Sequence, residues 1–140
     1  MNRLLLLALV LVAGCATKPP SSDQIVPAPA DRLFSHQVSV GGGSFTVTRD
    51  VGSMGGGCPL AVLVAGQVAG EVRTGEQATF HLPAGETIIG VVPAGKGLCS
   101  AGDQNRHRNE SSLVLKPGEH RRYRAGIDAD GSPFLRPTTL

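Results

Sequence analysis

Short stretches of the chain alternate apolar and polar residues with a period of two, the pattern of β-strands that bury one face. This alternation predicts strands over 37–40, 44–49, 77–82 and 120–127, the first two joined by a glycine turn at 41–43. Further strands are predicted over 60–65, 68–73, 86–92 and 113–115, and at Phe134 and Leu135. The pattern therefore indicates about eight strands.

The stretch 60–65 contains no polar residue, which favours a central strand covered on both faces. Pro-Ala-Gly at 83–85 and 93–95 and Pro-Gly at 117–118 predict turns, because each places a proline shortly before a glycine that can take positive φ. Residues 102–112 are the candidate for a short helix or a long loop. The prediction is an all-β fold, an antiparallel β-sandwich or small barrel of about seven to eight short strands.

The composition restricts the possible fold classes and partners. The 140 residues include 19 Gly and 10 Pro, which argues against a helix bundle or coiled coil and favours one modest domain. With 4 Phe, 1 Tyr and no Trp, the core is expected to consist mainly of Val, Leu, Ile and Ala. The formal net charge of +2 lacks the basic excess of nucleic-acid-binding proteins, so no nucleic-acid partner is expected.

The amino terminus has the organisation of an export signal. Asn2 and Arg3 precede an apolar run over 4–12. As a helix this run would rise only about 14 Å, against a hydrocarbon core of about 30 Å. It is therefore predicted to be a cleaved signal core and not a membrane-spanning helix.

The residues that follow, Leu11-Val12-Ala13-Gly14-Cys15, resemble the lipobox of bacterial lipoproteins. The resemblance implies cleavage after residue 14 and acylation of Cys15 by diacylglycerol, with palmitate-type chains holding the protein on a membrane. Ala16 stands where Asp is the retention mark for the inner membrane, so the resemblance implies an outer-membrane lipoprotein, displayed at the periplasmic face or the cell surface. The alternative is an ordinary secretory signal in which Cys15 is incidental.

Three segments are expected: a signal peptide over 1–14, a lipidated cysteine with a flexible tether over 15–33, and a β-sandwich over 34–140. The tether is predicted because residues 16–33 are rich in Pro and Ser and show no apolar period. Eighteen such residues at ~3.1 Å each would hold the domain up to about 55 Å from the bilayer.

Cys58 and Cys99 are the cysteines that remain, and a disulfide between them suits an oxidising compartment. The alternative is a metal site that adds His81 or His107 to these cysteines, but the chain has neither Cys-x-x-Cys nor His-x-x-x-His spacing. We therefore predict a disulfide, with no metal and no cofactor.

The residues over 63–72 and 78–86 resemble the small β-sandwich modules of bacterial envelope lipoproteins, including the PEGA type. The shared order is a strand, a turn of small residues, a short strand, and a strand that ends in a Pro and Gly turn. The resemblance implies a binding or structural module of the cell envelope without catalytic residues.

Motifs of catalysis are incomplete in this chain. Residues 90–97 approach a phosphate-binding loop, but Gly97 stands where Ser or Thr would bind magnesium, and no helix is predicted to follow. No serine lies in Gly-x-Ser-x-Gly. The chain is therefore predicted not to be an enzyme, and no catalytic residue is assigned.

Basic residues concentrate in the last third of the chain. Arg122 and Arg124 are expected on the strand face opposite Tyr123, where they could contact lipopolysaccharide phosphates or peptidoglycan carboxylates. The alternative is that they only solubilise an exposed strand. The candidate contacts for an anionic partner are Arg106, Arg108, Arg121, Arg122 and Arg124.

Three functions remain open. The first is a lipid-anchored envelope module that binds a partner protein or an envelope polymer. The second is a lipid-anchored inhibitor of an enzyme such as a lysozyme, which would insert loop 51–57 or 100–111 into the enzyme's cleft. The third is an enzyme, which would need a pocket with His81 or His107 beside a carboxylate.

Overall fold

Alternating residues along nine strands build two facing sheets in the computed structural model, which describes residues 16–53, 56–100 and 107–140. Three short 3₁₀ turns accompany them, Ser22–Gln24, Ala30–Arg32 and Gly97–Ser100. The strands are β1 (Val26–Pro27), β2 (Gly43–Arg49), β3 (Leu60–Val64), β4 (Gln67–Val72), β5 (Glu76–Leu82), β6 (Gly85–Pro93), β7 (Asn109–Leu115), β8 (His120–Ile127) and β9 (Pro133–Pro137).

One sheet has the strand order β1-β5-β2-β8-β9 and the other β4-β3-β6-β7. The all-β sandwich predicted from the sequence is confirmed. Most strand pairs are antiparallel, as predicted, but β2 pairs with β8 and β1 pairs with β5 in parallel. Alternation shows which side chains share a face, but it does not show which strands pair or in which direction.

The core lies between the sheets. Phe45 on β2 stacks on Phe80 of β5 with ring centroids 5.3 Å apart, and it meets Tyr123 of β8 edge-on at 6.3 Å. These rings form the aromatic centre of a core otherwise made of aliphatic side chains. β3 lies between β4 and β6 with all five residues buried, as predicted for a strand covered on both faces.

The predicted turns are confirmed, because Gly85, Gly95 and Gly118 each have a positive φ. The predicted strand over 37–40 is wrong, because these residues form an irregular segment. β7 begins at Asn109, four positions before the predicted start at 113, and so occupies the last part of the predicted loop. The beginning of that loop, 102–106, lies outside the described residues.

The flexible tether is also wrong for residues 16–33. Thr17, Pro20 and Ala28 are buried, and β1 forms a parallel edge beside β5. Arg32 binds the carboxylate of Glu76. A Pro-rich segment shows no hydrophobic period, yet its extended backbone suits a sheet edge, where a proline needs no hydrogen-bond partner. The sandwich therefore includes residues from 16 onward and does not begin at 34.

The strand directions give the sandwich two distinct ends. All even-numbered strands end at the same end of the sandwich, and all odd-numbered strands begin at that end. We call it the near end. Thr17 docks at the near end, beside the last residue of β8. The opposite or far end carries residues 34–42 and the turns that follow β3, β5 and β7.

Within the described residues, no helix has the length and apolar character needed to cross a membrane.

Candidate functional site

Residues 34–42 cross the far end between the edges of the two sheets. The amides of Phe34 and Ser35 donate to the carbonyl of Ala69 on β4, at 2.8 and 3.2 Å. On the other side, the amide of His81 on β5 donates to the carbonyl of His36 at 2.7 Å. The segment is thus fixed to one sheet at Phe34 and Ser35 and to the other sheet at the next residue, His36.

The backbone of this segment is irregular for local reasons. His36 has φ +59° and Gly41 has φ +76°, values outside the range of a strand. A Cβ at Gly42 would lie 2.0 Å from the carbonyl oxygen of Leu82, so only glycine permits this approach to β5. These three positions prevent the Val38 and Val40 alternation from forming a regular strand.

The segment exposes an unusual amount of apolar surface. The exposed fractions of Phe34, Val38 and Val40 are 56%, 77% and 60%. They border an open cavity of about 560 Å³, which is also lined by Leu33, Ser35, His36, Gln37, His81 and Pro83. Contiguous exposed apolar side chains around a concavity mark surfaces that bind other molecules.

The lining of this cavity limits its chemistry. Its titratable side chains are His36 and His81, and no Asp, Glu, Lys or Arg is among the lining residues. The cavity therefore lacks the carboxylate that would pair with His81 in the predicted enzyme alternative. Across residues 16–53, 56–100 and 107–140, no cluster of three or more His, Cys, Asp or Glu side chains could hold a metal ion.

A buried polar cluster fixes the chain at the near end. Asp50 follows β2 and is fully buried, and its carboxylate accepts hydrogen bonds from Nε and Nη2 of Arg124 on β8. The hydroxyl of Thr17 lies 3.2 Å from Asp50 Oδ2 and accepts the amide of Ile127 at 3.0 Å. The hydrogen bond from Arg124 to Asp50 raises the pKa of the guanidinium, so Arg124 stays charged.

Main-chain bonds extend this attachment. The amide of Thr17 donates to the carbonyl of Ile127 at 3.2 Å, and Lys18 and Val51 exchange two hydrogen bonds of 2.9 Å. A Cβ at Gly126 would lie 2.4 Å from Thr17 Oγ1, so a glycine at this position of β8 is what allows the close approach. Residues 17 and 18 are therefore held to both β2 and β8.

The predicted disulfide between Cys58 and Cys99 is present, with Cα atoms 5.3 Å apart. It joins the residues before β3 to the 3₁₀ turn Gly97–Ser100 after β6. Its place is the near end, the same end at which Thr17 docks. His81 does not join the cysteines, because it lies at the far end on β5.

Three of the predicted arginine contacts are paired within the protein. Arg124 binds Asp50, Arg121 binds Glu119 at 2.7 Å, and Arg108 lies 3.4 Å from Glu110. Arg122 is exposed and has no ion pair among the described residues.

The register of β8 on β2 places Arg122 and Arg124 opposite Tyr123, as expected. His120 lies on the same face, where Ser44 Oγ contacts its Nδ1 at 2.8 Å. Contact of these arginines with an anionic partner stays a prediction. Cys15 and Arg106 lie outside the described residues.

Comparison of the chain with models of protein families, with curated proteins and with solved structures found no match.

Sequence reasoning did not identify Thr17, Asp50 or residues 34–42 as functional. Asp50 directly follows the alternating strand of β2, but its burial, which is rare for Asp, becomes visible only in the fold. Within 34–42, the two-residue spacing of Val38 and Val40 led to the wrong prediction of a strand over 37–40. The same spacing is equally compatible with an exposed extended loop.

Proposed function

We propose that this protein is a bacterial envelope lipoprotein, acylated at Cys15, whose β-sandwich acts as a non-catalytic binding module at the outer membrane. The observation that carries this proposal is the separation of two features along the sandwich. The described chain is attached at the near end through Thr17, and the exposed apolar segment 34–42 lies at the far end. A membrane anchor at one end leaves the other end accessible.

The far end favours a protein partner over an envelope polymer. Its exposed apolar side chains include Phe34, Val38 and Val40, and its cavity is lined by neither Lys nor Arg, the side chains that usually bind phosphate or carboxylate groups. Buried aromatic and aliphatic side chains supply much of the affinity of protein interfaces. The resemblance to envelope modules of the PEGA type agrees with such a role.

The geometry gives less support to an enzyme inhibitor. That alternative requires loop 51–57 or 100–111 to enter an enzyme's cleft. Loop 51–57 begins at Val51, which is bonded to Lys18, three residues after Cys15. In an acylated protein this loop would face the membrane, where an enzyme could not reach it.

Acylation is tested by intact mass and membrane fractionation of the wild-type chain and of Cys15→Ser, expressed with the full signal. We expect the wild-type chain to carry an acyl mass and to sediment with membranes, and Cys15→Ser to lose both. Ser22→Ala is the control, because Ser22 is exposed and its replacement leaves both the lipobox and the disulfide intact. A soluble wild-type chain without acyl mass would overturn the lipoprotein proposal.

Binding by the far end is tested by photo-crosslinking in cells. A photoreactive residue replaces Val38, and in a control chain it replaces Val114, which is 57% exposed on β7. We expect a discrete crosslinked protein from position 38 and none from position 114. Equal labelling from both positions would contradict a specific contact at the far end.

A further inference from the structure

The docking of Thr17 leaves almost no free chain between the sandwich and Cys15. Cys15 lies two residues before Thr17. Even a fully extended backbone covers only ~3.6 Å per residue, so this connection spans about 7 Å at most. The acylated residue of the proposed lipoprotein must therefore lie close to the near end.

Several connections share this end of the sandwich. Among the described residues they include 51–53 and 56–59 between β2 and β3, the 3₁₀ turn Gly97–Ser100 after β6, and the turn between β8 and β9. Facing sheets are about 10 Å apart, so the connections of both sheets lie within a short lateral distance of the chain's attachment. A bilayer that holds Cys15 would meet them together.

One of these connections presents an apolar side chain suited to a bilayer. Leu98, in the 3₁₀ turn Gly97–Ser100, is 94% exposed. The neighbouring Cys99 is fixed to Cys58 by the disulfide, and the amide of Cys99 donates to the carbonyl of Lys96 at 3.3 Å. The turn therefore holds Leu98 in place at the surface.

The polar surroundings of Leu98 fit a headgroup region. Lys96 is exposed two residues before it, and Lys18 is exposed beside the attachment. Apolar side chains flanked by lysines are typical of protein surfaces that lie at the membrane interface. Asp130 is exposed at the same end, so contact with the bilayer would come from Leu98 and the short connection to Cys15, and not from a net positive charge.

We infer that the near end of the sandwich lies directly on the bilayer, with Leu98 inserted among the lipid headgroups. The inference depends on the proposed acylation of Cys15. In this orientation the sandwich stands upright on the membrane, and its far end points away from the bilayer. A flexible tether, by contrast, would have allowed any orientation.

The test uses the absence of Trp from the chain, which makes a single introduced Trp a specific reporter. Leu98→Trp is compared with Val114→Trp, because both replace exposed aliphatic residues and Val114 lies next to the last residue of β7, toward the far end. Each full-length acylated chain is purified, checked by mass and by circular dichroism, and reconstituted on vesicles. The vesicles contain phosphatidylethanolamine, phosphatidylglycerol and a phosphatidylcholine brominated along its acyl chains.

We expect brominated lipid to quench the fluorescence of Leu98→Trp severalfold more than that of Val114→Trp, with a blue shift for Leu98→Trp alone. Equal quenching of the two acylated chains would overturn the upright orientation and leave the lipoprotein proposal intact. Chains that carry no acyl mass would overturn both, and the mass measurement separates the two failures.

Discussion

The two ends of the sandwich are built from different kinds of interaction. At the near end, backbone pairs, a buried carboxylate and a disulfide fix residues 17 and 18 and the neighbouring loops. At the far end, residues 36–41 donate no backbone hydrogen bond to any described residue, and Val38 is 77% exposed. The difference indicates that one end is stabilised by internal contacts, while the other leaves apolar surface free for a partner.

The largest expected effect concerns the disulfide. Cys58 and Cys99 are 41 residues apart, and a loop of this length contributes about 4 kcal/mol in the chain-entropy model. We expect the free energy of unfolding to fall by about this amount in a Cys58→Ser, Cys99→Ser double variant, measured by denaturant titration. The reduced wild-type chain is the control and should match the variant; a decrease below about 1 kcal/mol in both would contradict the prediction.

Asp50→Asn tests the buried cluster of the near end. Because Asp50 is fully buried against Arg124, loss of its charge should lower the free energy of unfolding by about 3 kcal/mol. Asp128→Asn is the matched control, since its ion pair with Arg136 is exposed and should contribute less than about 1 kcal/mol. Similar losses in both variants would show that the near end does not depend on the buried carboxylate.

The ion pair between Arg32 and Glu76, which holds residues 26–32 on the sandwich, makes the stability of the protein depend on pH. Burial tends to raise the pKa of Glu76, but hydrogen bonds from Arg32 and from the amide of Arg73 outweigh burial and hold this pKa below its ordinary value of 4.5. A carboxylate with a lowered pKa in the folded state stabilises the protein above its ordinary pKa. This contribution is lost as the pH falls through the pKa of the folded state.

We therefore expect Glu76→Gln to cost about 1 kcal/mol near neutral pH and to have little effect in acid, measured by denaturant titration across pH. Glu86→Gln, which lies away from this attachment on β6, serves as the control. A cost for Glu76→Gln that is the same at neutral and acid pH would contradict the link.

The smallest effect on stability is expected at the far end. Val38→Ser should change the free energy of unfolding by less than about 0.5 kcal/mol, because the side chain is 77% exposed. The same variant should weaken crosslinking to a partner from a photoreactive residue at position 40. A decrease in stability comparable to that of Asp50→Asn would mean that the far end is part of the core and not a contact surface.

Periodicity predicted eight of the nine described strands, all except β1, to within about four residues because each buries one face or both, as the alternation of Phe45 and Val47 shows. It could not predict the parallel pairing of β2 with β8, whose partners are more than 70 residues apart, as in Ser44 and His120. Such pairing depends on tertiary packing, which leaves no mark on local sequence.

The candidate sites were harder to predict than the strands. The disulfide followed from cysteine count and compartment. The docking of Thr17 did not, because it depends on the close approach that Gly126 permits and on a carboxylate distant in sequence. Residues 34–42 were misread because the conformations of His36 and Gly42 depend on contacts with β5.

Hydrogen–deuterium exchange of the full chain tests the contrast between the two ends most directly. We expect slow exchange at the amides of Lys18, Val26 and Ala28, which donate to the carbonyls of Val51, Gly75 and Gln77, and fast exchange over residues 37–41. Equal and fast exchange in both segments would contradict this expectation, because residues 16–33 would then be a free tether and the sandwich would have no fixed position above its anchor.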